Sequence, residues 1–557
     1  MYSDKENVNI LTALLVQHGV RHIVVCPGSR NSALSHNFNE HPDIICHPAT
    51  DERSAGFLAL GIALQTKDRP VAVCVTSGSA LLNVLPAVAE ADYQRCGIVV
   101  ISADRPSQWI DQLDGQTLPQ TGVLNTFVAN TVNLPEPHDD EERWYCNRLI
   151  NEAFIALKRT NRPVHINIPI SEPFFSFTAK ELIAQRKVEY YDWNDTPSKD
   201  RIMSQICYAK RRMMVFGQLS KGIIANELAK IEQKLICLHE PLSADGLSNS
   251  MTDQMLSVLE EDCEEYIPDL VIYFGRHTVS KRLRHFLRKL PLDTTIIMVD
   301  DDGELHDVSM NATMLIHGKT ATVLSDIIGS FSNHEVLTDS QYLDSWQQLK
   351  QRVSERHGKY TPTYSSMKAV KLFEAMYGNE IVHYANSMSV RLGAIYTTSQ
   401  YRYCNRGVNG IEGSLSTAAG MSLAMHSESN PKKVFCVIGD LSFFYDENAL
   451  WQQQLTGNLR ILLLNNQEGG IFLNLKGLEQ SPARDTLVAG SHRVSAEGIC
   501  RQFGLTYRRV TTDQELPEGI EWLGNVESQR PVVLEVITNA QEDSNIFKNY
   551  YIDLKYK

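Results

Sequence analysis

Short runs of aliphatic and β-branched residues recur along this chain, each closed by Gly, Ser or Asn and then followed by a helical pattern. No other feature narrows the fold as much. A first series covers residues 22–26, 71–75, 98–102 and 164–168, a second 213–216, 235–238, 270–274 and 296–299, and a third 381–385, 434–438, 461–464 and 532–537. Strands alternating with helices pack as parallel sheets covered on both faces, so the expected class is α/β, with doubly wound parallel-sheet domains. A length of 557 residues suits three of them. The polar stretch 190–200 and the segment 332–363, where strand signals lapse, suggest domains at 1–185, 190–345 and 360–557. In open α/β sheets ligands lie beyond the carboxyl ends of the strands, so chemistry is to be sought in the turns that close these runs.

Composition removes several classes. A net charge of -13 argues against a nucleic-acid surface, whose phosphate contacts need a basic patch. No apolar stretch has the length of a membrane span, and residues 1–9 are polar, unlike a signal peptide, so a cytoplasmic location is expected. The eleven Cys form no C-x-x-C pair, and Cys26, Cys74 and Cys436 sit inside strand-like runs, as small buried hydrophobes in a reducing compartment do. Anionic ligands would need local arginines.

The most informative turns follow the runs 434–438 and 461–464. The first closes on Gly439-Asp440-Leu441-Ser442 and the second on Asn465-Asn466. An Asp carboxylate and an Asn amide oxygen at neighbouring strand tips are hard ligands that suit Mg²⁺ or Ca²⁺, which usually bring a phosphate. The Gly permits a tight turn, and Ser442 with nearby backbone N–H groups can meet an anion at a helix start. Either half alone reads equally as an ordinary turn with a helix cap.

Taken together, the two halves resemble the G-D-G…N-N signature of thiamine diphosphate enzymes. The resemblance implies Mg²⁺, or Mn²⁺, on Asp440, the Asn466 side chain and the Glu468 backbone carbonyl. Leu441 stands where the signature has its second Gly. Asp51-Glu52-Arg53 precedes a helical run of small residues. By itself Glu52 is a dipole-favoured cap, but the resemblance makes it the catalytic carboxyl that hydrogen-bonds N1′ of the aminopyrimidine and favours the tautomer able to deprotonate the thiazolium. Ile411, within Asn409-Gly410-Ile411-Glu412-Gly413, matches the apolar wedge that bends the cofactor. Thr76-Ser77-Gly78 matches the glycine-rich loop near the pyrimidine. The further cofactor-binding residues implied are Asn386, Ser387, Gly439, Leu441, Ser442 and Ile471.

A finer resemblance runs nearly the whole chain. Pro27-Gly28-Ser29-Arg30-Asn31, Asp51-Glu52-Arg53, Ala103-Asp104-Arg105-Pro106, Asn386-Ser387 with Arg391, and Asn405-Arg406-Gly407 through Gly413 look like the MenD family. That family implies pyrimidine-binding, central and diphosphate-binding domains, in that order. It also implies decarboxylation of 2-oxoglutarate and 1,4-addition of the succinyl unit to isochorismate, within menaquinone biosynthesis. Both substrates are multiply anionic, and the planar fork of Arg suits carboxylates. Arg391 and Arg406 would hold the distal carboxylate of the succinyl unit. Ser29, Arg30, Arg105, Gln116, Lys281 and Arg282 would face isochorismate, beside Gly115, where some relatives carry a polar side chain. Read without the resemblance, Arg105 could be a surface loop residue and Lys281-Arg282 a solvated helix face. A homodimer or dimer of dimers is implied, because Glu52 and the metal ligands lie in different domains. The rival readings are another thiamine diphosphate carboligase, a non-catalytic relative of the fold, and a dinucleotide dehydrogenase, for which no convincing G-x-G-x-x-G stands after the first strand.

Overall fold

The computed structural model describes the chain apart from residues 67–68, 225–227, 229–230, 232, 244–248, 261–262, 334–335, 398–399, 427–430, 476 and 557. Every residue expected in a site is described. Residues 334–335 of the expected second boundary lie outside the described residues. Two units emerge, Met1–Asp192 with Gly303–His317, and Trp193–Asp302 with Gly318–Lys557.

The first unit holds β1 (His22–Val25), β2 (Ile45–Pro48), β3 (Val71–Val75), β4 (Ile98–Asp104), β5 (Asn130–Asn133) and β6 (Val164–Pro169), a parallel sheet in the order β2-β1-β3-β4-β6-β5. Alternate residues of its strands feed two separate cores. Ile23, Ala72, Cys74, Val99 and Ile101 pack with helices Glu6–Gln17 and Asp140–Thr160, whereas Val24, Val73, Val75, Ile98 and Val100 pack with Glu52–Gln65 and Leu85–Tyr93. Covered on both faces, β3 and β4 are buried at every position, which is why β3 and the first four residues of β4 read as apolar runs. A short parallel pair, β7 (Glu189–Asp192) and β12 (Met314–His317), completes the unit.

In the second unit β8 (Arg212–Phe216), β9 (Ile236–His239), β10 (Leu270–Phe274) and β11 (Thr295–Asp300) pair in parallel in the order β9-β8-β10-β11. A third sheet follows, of β13 (Ile381–Tyr384), β14 (Val434–Gly439), β15 (Leu459–Asn465), β16 (Thr506–Val510) and β17 (Val532–Ile537), in the order β13-β14-β15-β17-β16. Under β13 the Arg402–Glu374 pair is buried at 2.7 Å and fully bonded, with Tyr384, Thr397 and the Gly378 carbonyl as further partners. Among the described residues no helix is long and apolar enough to cross a membrane.

The expected strands are present with bounds shifted by a residue or two, and the structure adds strands the sequence reading missed. The stretch 190–200, expected as a polar boundary, contains most of β7 and the start of helix Thr196–Tyr208. The stretch 332–363 contains the 20-residue helix Ser340–Lys359, whose Leu343, Trp346, Leu349 and Val353 are buried.

Three buried histidines make stability depend on acid. Burial lowers His18 to about 3 and His165 and His383 to about 4, from an ordinary 6.5. The folded chain therefore binds fewer protons than the unfolded chain below pH 6.5, and folding weakens as pH falls from there until each folded pKa is reached. Each histidine costs about 1.4 kcal/mol per pH unit in that window. Urea unfolding midpoints should fall steadily between about pH 7 and pH 5. A flat profile there would show that these rings are not held neutral.

Candidate active site

The site is organised by strand tips. Register pairs Ile438 with Leu463 and Gly439 with Leu464, so the ends of β14 and β15 stand side by side. Asp440 opens helix Asp440–Tyr445 and is 4% exposed. Its Oδ1 accepts from the Leu441 N–H and its Oδ2 from the Gln467 N–H, both at 2.7 Å, which ties one strand tip to the other. Gln467 has a left-handed φ of 70°, a strained backbone that turns the chain sharply after Asn466. The Asn466 amide is loosely held, Oδ1 receiving the Glu468 N–H at 3.3 Å and Nδ2 reaching Asp543 Oδ2 at 3.5 Å. A Cβ on Gly470 would stand 2.7 Å from Asn466 Nδ2, so only glycine lets the amide keep this position.

One cavity gathers this machinery. Asn386, Ser387, Ile411, Gly439, Asp440, Leu441, Ser442, Asn466, Glu468 and Ile471, ten residues singled out by the sequence, all line it. Two helix starts meet there: Met388–Tyr396, preceded by Ser387 at φ 71°, and Asp440–Tyr445, preceded by Gly439, neither with a side-chain cap. Uncapped N–H groups at converging helix starts favour an anion. Asn386 fixes the opposite wall by donating to the carbonyls of Asn405 and Gly410, each at 2.7 Å, and so positions the loop that carries Ile411. Ile411 is 36% exposed, an apolar side chain presented to the cavity instead of to a core.

The donor set fits a hard divalent cation and a diphosphate. It offers one buried carboxylate that accepts only backbone N–H groups, one amide oxygen and the Glu468 carbonyl, which also takes the Gly470 N–H at 2.9 Å. The Glu468 side chain is engaged elsewhere, accepting from Ser491 Oγ. His492 Nε2 lies 3.3 Å from Asp440 Oδ2. Among the described residues no group of three or more His, Cys, Asp or Glu could hold a metal ion, and the expected ligand set relies on a single carboxylate, that of Asp440.

A second cavity adjoins the first and shares Met388, Ile471, Asn474 and Phe547 with it. Lys281, Arg282 and Arg391 line it. Arg282 is already paired: Nη1 lies 2.6 Å from Asp253 Oδ2 and the guanidinium stacks 4.1 Å from the centre of the Tyr551 ring. Arg406 lines neither cavity. It is 7% exposed, donating to Asn386 Oδ1 at 3.1 Å and the Thr278 carbonyl at 3.0 Å, with its Nε lacking a partner, and burial lowers its pKa.

The first unit carries the remaining expected residues. Glu52 begins helix Glu52–Gln65, where Asp51 takes the capping role by accepting from the Ser54 N–H, which leaves Glu52 free of it. Its Oε2 accepts from Asn83 Nδ2 at 3.0 Å. Gly78 has φ 82° and lies against the Gln116 backbone, at 3.1 Å from an added Cβ. Its N–H donates to Gln120 Oε1 at 2.7 Å, and Gln120 is held by Asn167 and the Ala103 carbonyl. Thr76 is buried at the tip of β3. Arg105 pairs with Asp114 and reaches Ser77 Oγ and the Gln116 carbonyl, which brings Arg105, Gln116 and the 76–78 loop together. Arg30 is buried on the Ile170 carbonyl and Glu172 and stacks on Phe174, while Ser29 beside it is exposed. A Cβ at Gly115 would meet open space.

Sequence reasoning missed the contribution of the last helix, Ala540–Tyr556. It lends Asp543, Ser544 and Phe547 to the first cavity and Phe547 and Tyr551 to the second. Asp543 accepts from Ser366, Thr538 and Asn466, and burial raises its pKa. Glu240 was missed too, although it directly follows the strand-like run 235–238 and so stands where a strand-tip search looks.

Residues 6–125 match the family model described as thiamine pyrophosphate enzyme, N-terminal TPP binding domain, and residues 385–536 the corresponding C-terminal TPP binding domain. The chain is 42% identical to a 2-succinyl-5-enolpyruvyl-6-hydroxy-3-cyclohexene-1-carboxylate synthase of Bacteroides fragilis, with all of both chains covered. It is 40% identical to the synthase of the same description from Phocaeicola vulgatus, again with both chains fully covered. At 32% identity it covers 96% of that from Flavobacterium johnsoniae, with 96% of its own length aligned. The three parallel sheets are those of thiamine diphosphate enzymes, and with similarity running from end to end the chain belongs to the 2-succinyl-5-enolpyruvyl-6-hydroxy-3-cyclohexene-1-carboxylate synthase family.

Proposed function

We propose that this chain is a transferase that decarboxylates 2-oxoglutarate and adds the resulting succinyl unit in a 1,4 manner to isochorismate. The products are 2-succinyl-5-enolpyruvyl-6-hydroxy-3-cyclohexene-1-carboxylate and CO₂, a step of menaquinone biosynthesis in the cytoplasm. The observation that supports this reading is the adjacency of two cavities, one lined by Asp440, Asn466 and two helix starts and the other by cationic side chains. Bound thiamine diphosphate supplies the electron sink that a 2-oxo acid needs to lose CO₂.

The chain's own residues bind, orient and manage protons. Asp440, the Asn466 amide and the Glu468 carbonyl hold Mg²⁺, or Mn²⁺, as an anchor for the diphosphate. Gly439, Leu441, Ser442, Asn386, Ser387 and Ile471 would line its seat, and Ile411 would offer it an apolar side chain. Glu52 holds a proton at N1′ of the aminopyrimidine, beside the 76–78 loop with Thr76 and Gly78. Arg391 and Arg406 pair with the distal carboxylate of 2-oxoglutarate. Ser29, Arg30, Arg105, Gln116, Lys281 and Arg282 face isochorismate. Arg282, already neutralised by Asp253, contributes shape and hydrogen bonds more than net charge.

The functional form is a homodimer or a dimer of dimers, with Glu52 from one subunit and the metal ligands from its partner. Helix Glu52–Gln65 exposes Phe57, Leu58 and Leu64, and helix Ser414–His426 exposes Leu423, apolar area that self-association would cover.

The test is CO₂ release from 2-oxoglutarate against pyruvate with thiamine diphosphate and Mg²⁺, followed by mass analysis of the product formed with isochorismate. Because the cationic wall is left unpaired by pyruvate, 2-oxoglutarate should be favoured by about a hundredfold or more in kcat/KM. A preference for pyruvate would replace this reading with a carboligase of the acetolactate synthase type.

A further inference from the structure

We propose that Glu240 is the positioning residue of a three-arginine dicarboxylate pocket, and that Arg284 belongs to that pocket with Arg391 and Arg406. The inference rests on the function proposed above and names a part of the site that its motifs do not contain.

The segment Thr278–Ser280 is the hub. Glu240, 5% exposed at the carboxyl end of β9, accepts from the Val279 N–H at 2.6 Å through Oε2 and from the Ser280 N–H at 2.7 Å through Oε1. The carbonyls of the same segment face the guanidiniums. Thr278 O accepts from Arg406 Nη2 at 3.0 Å and Arg284 Nη1 at 3.3 Å, and Val279 O from Arg391 Nη1 at 3.5 Å. One carboxylate thus grips the N–H side of a short loop whose C=O side seats three cations. Ser280 continues the arrangement by capping helix Lys281–Arg288 and donating to Asp253.

Charge gives the arrangement its function. Among the described residues these three guanidiniums bond only to backbone carbonyls, apart from Arg406 with Asn386, and the charges of Arg391 and Arg284 help to lower Arg406 as that of Arg391 helps to lower Arg284. Burial lowers Arg284 and Arg406, and it pushes the Glu240 carboxyl up to about 7. One buried guanidinium, Arg406, and two half-buried ones, Arg284 and Arg391, around a single carboxyl leave an excess of positive charge that a bound carboxylate would balance. Glu240 itself points its oxygens at N–H groups, so the guanidinium donors remain available to a ligand. Its contribution is to hold the seats in register, which shortens the ordering that a dicarboxylate must impose when it binds.

The substitution Glu240→Gln keeps the shape but offers one acceptor oxygen, with an NH₂ facing a backbone N–H. One buried donor then loses its partner and the loop loosens. Binding of glutarate and of butyrate, which share a chain but differ by one carboxylate, is measured by calorimetry on full-length protein loaded with thiamine diphosphate and Mg²⁺. Glutarate should bind E240Q and R284Q about tenfold more weakly than wild type, with butyrate changed far less. In turnover, kcat/KM for 2-oxoglutarate should fall about tenfold further than that for 2-oxobutanoate, chiefly through KM. R284Q leaves the Glu240 contacts intact, so it decides the matter if E240Q does not fold. Wild-type protein that does not bind glutarate, or folded variants that lose glutarate and butyrate equally, would overturn the proposal. Wild type that binds glutarate in an Arg284- and Glu240-dependent way without turning over 2-oxoglutarate would keep it, and would overturn the reaction assigned above instead.

Discussion

Glu52→Gln should leave thiamine diphosphate bound and slow turnover by about 10²–10⁴-fold, the range that a positioned proton donor or acceptor contributes. The amide keeps the size of the carboxyl and can still accept from Asn83, whose Nδ2 bonds Glu52 Oε2 in the native chain. It cannot deliver a proton to the aminopyrimidine ring. Because Asp51 and not Glu52 caps the helix, the substitution leaves the helix start intact. Calorimetry with Mg²⁺ and the cofactor should give wild-type affinity, while CO₂ release becomes slow at every 2-oxoglutarate concentration. Full activity in the variant would remove the proton-holding role from Glu52.

Asp440→Ala should act at binding, before any chemistry. The substitution removes the one buried carboxylate of the donor set and also strands the Leu441 and Gln467 N–H groups, which bond its two oxygens. Residues that merely support a metal site cost about 10–100-fold in affinity when lost, and a direct ligand should cost more. Magnesium-dependent binding of thiamine diphosphate should therefore weaken by more than about a hundredfold. Asp440→Asn, which keeps one acceptor oxygen but turns an NH₂ toward the other backbone N–H and carries no charge, should fall between wild type and the alanine variant. If the alanine variant bound the cofactor as wild type does, still in a magnesium-dependent manner, the anchor would have to lie elsewhere.

The legible parts of the fold were those with uniform environments. Strands β3, β4, β8, β10 and β15 are buried at every position, so each carries an apolar run of four or five residues in the sequence, with polar residues toward the strand ends. Most of the missed strands have wet or polar positions. Asn130–Asn133 and Thr506–Val510 lie at sheet edges with a single buried residue each, and Glu189–Asp192 is a four-residue edge strand with polar ends, whereas Met314–His317 is apolar and mostly buried and was missed for its shortness. The helix Ser340–Lys359 was hidden by its polarity, since only one stripe of it is buried.

In the site, the Gly-Asp and Asn-Asn tips were legible because oxygen-bearing residues at neighbouring strand ends form a recognisable pattern, and the structure brings both to one cavity. The pairing of charges was not. Nothing local to Arg282 announces Asp253, 29 positions away, as its partner. Asp543, Phe547 and Tyr551 belong to a helix that carries no motif at all, and their placement follows from packing.

That last helix runs along both cavities. At one end Asp543 Oδ2 lies 3.5 Å from the Asn466 amide, a proposed metal ligand, and at the other the Tyr551 hydroxyl donates to Asp253, which neutralises Arg282. Phe547, between them, walls both cavities. If the proposed cofactor and acid substrate both bear on this helix, thermodynamic reciprocity requires that each change the other's affinity by the same factor.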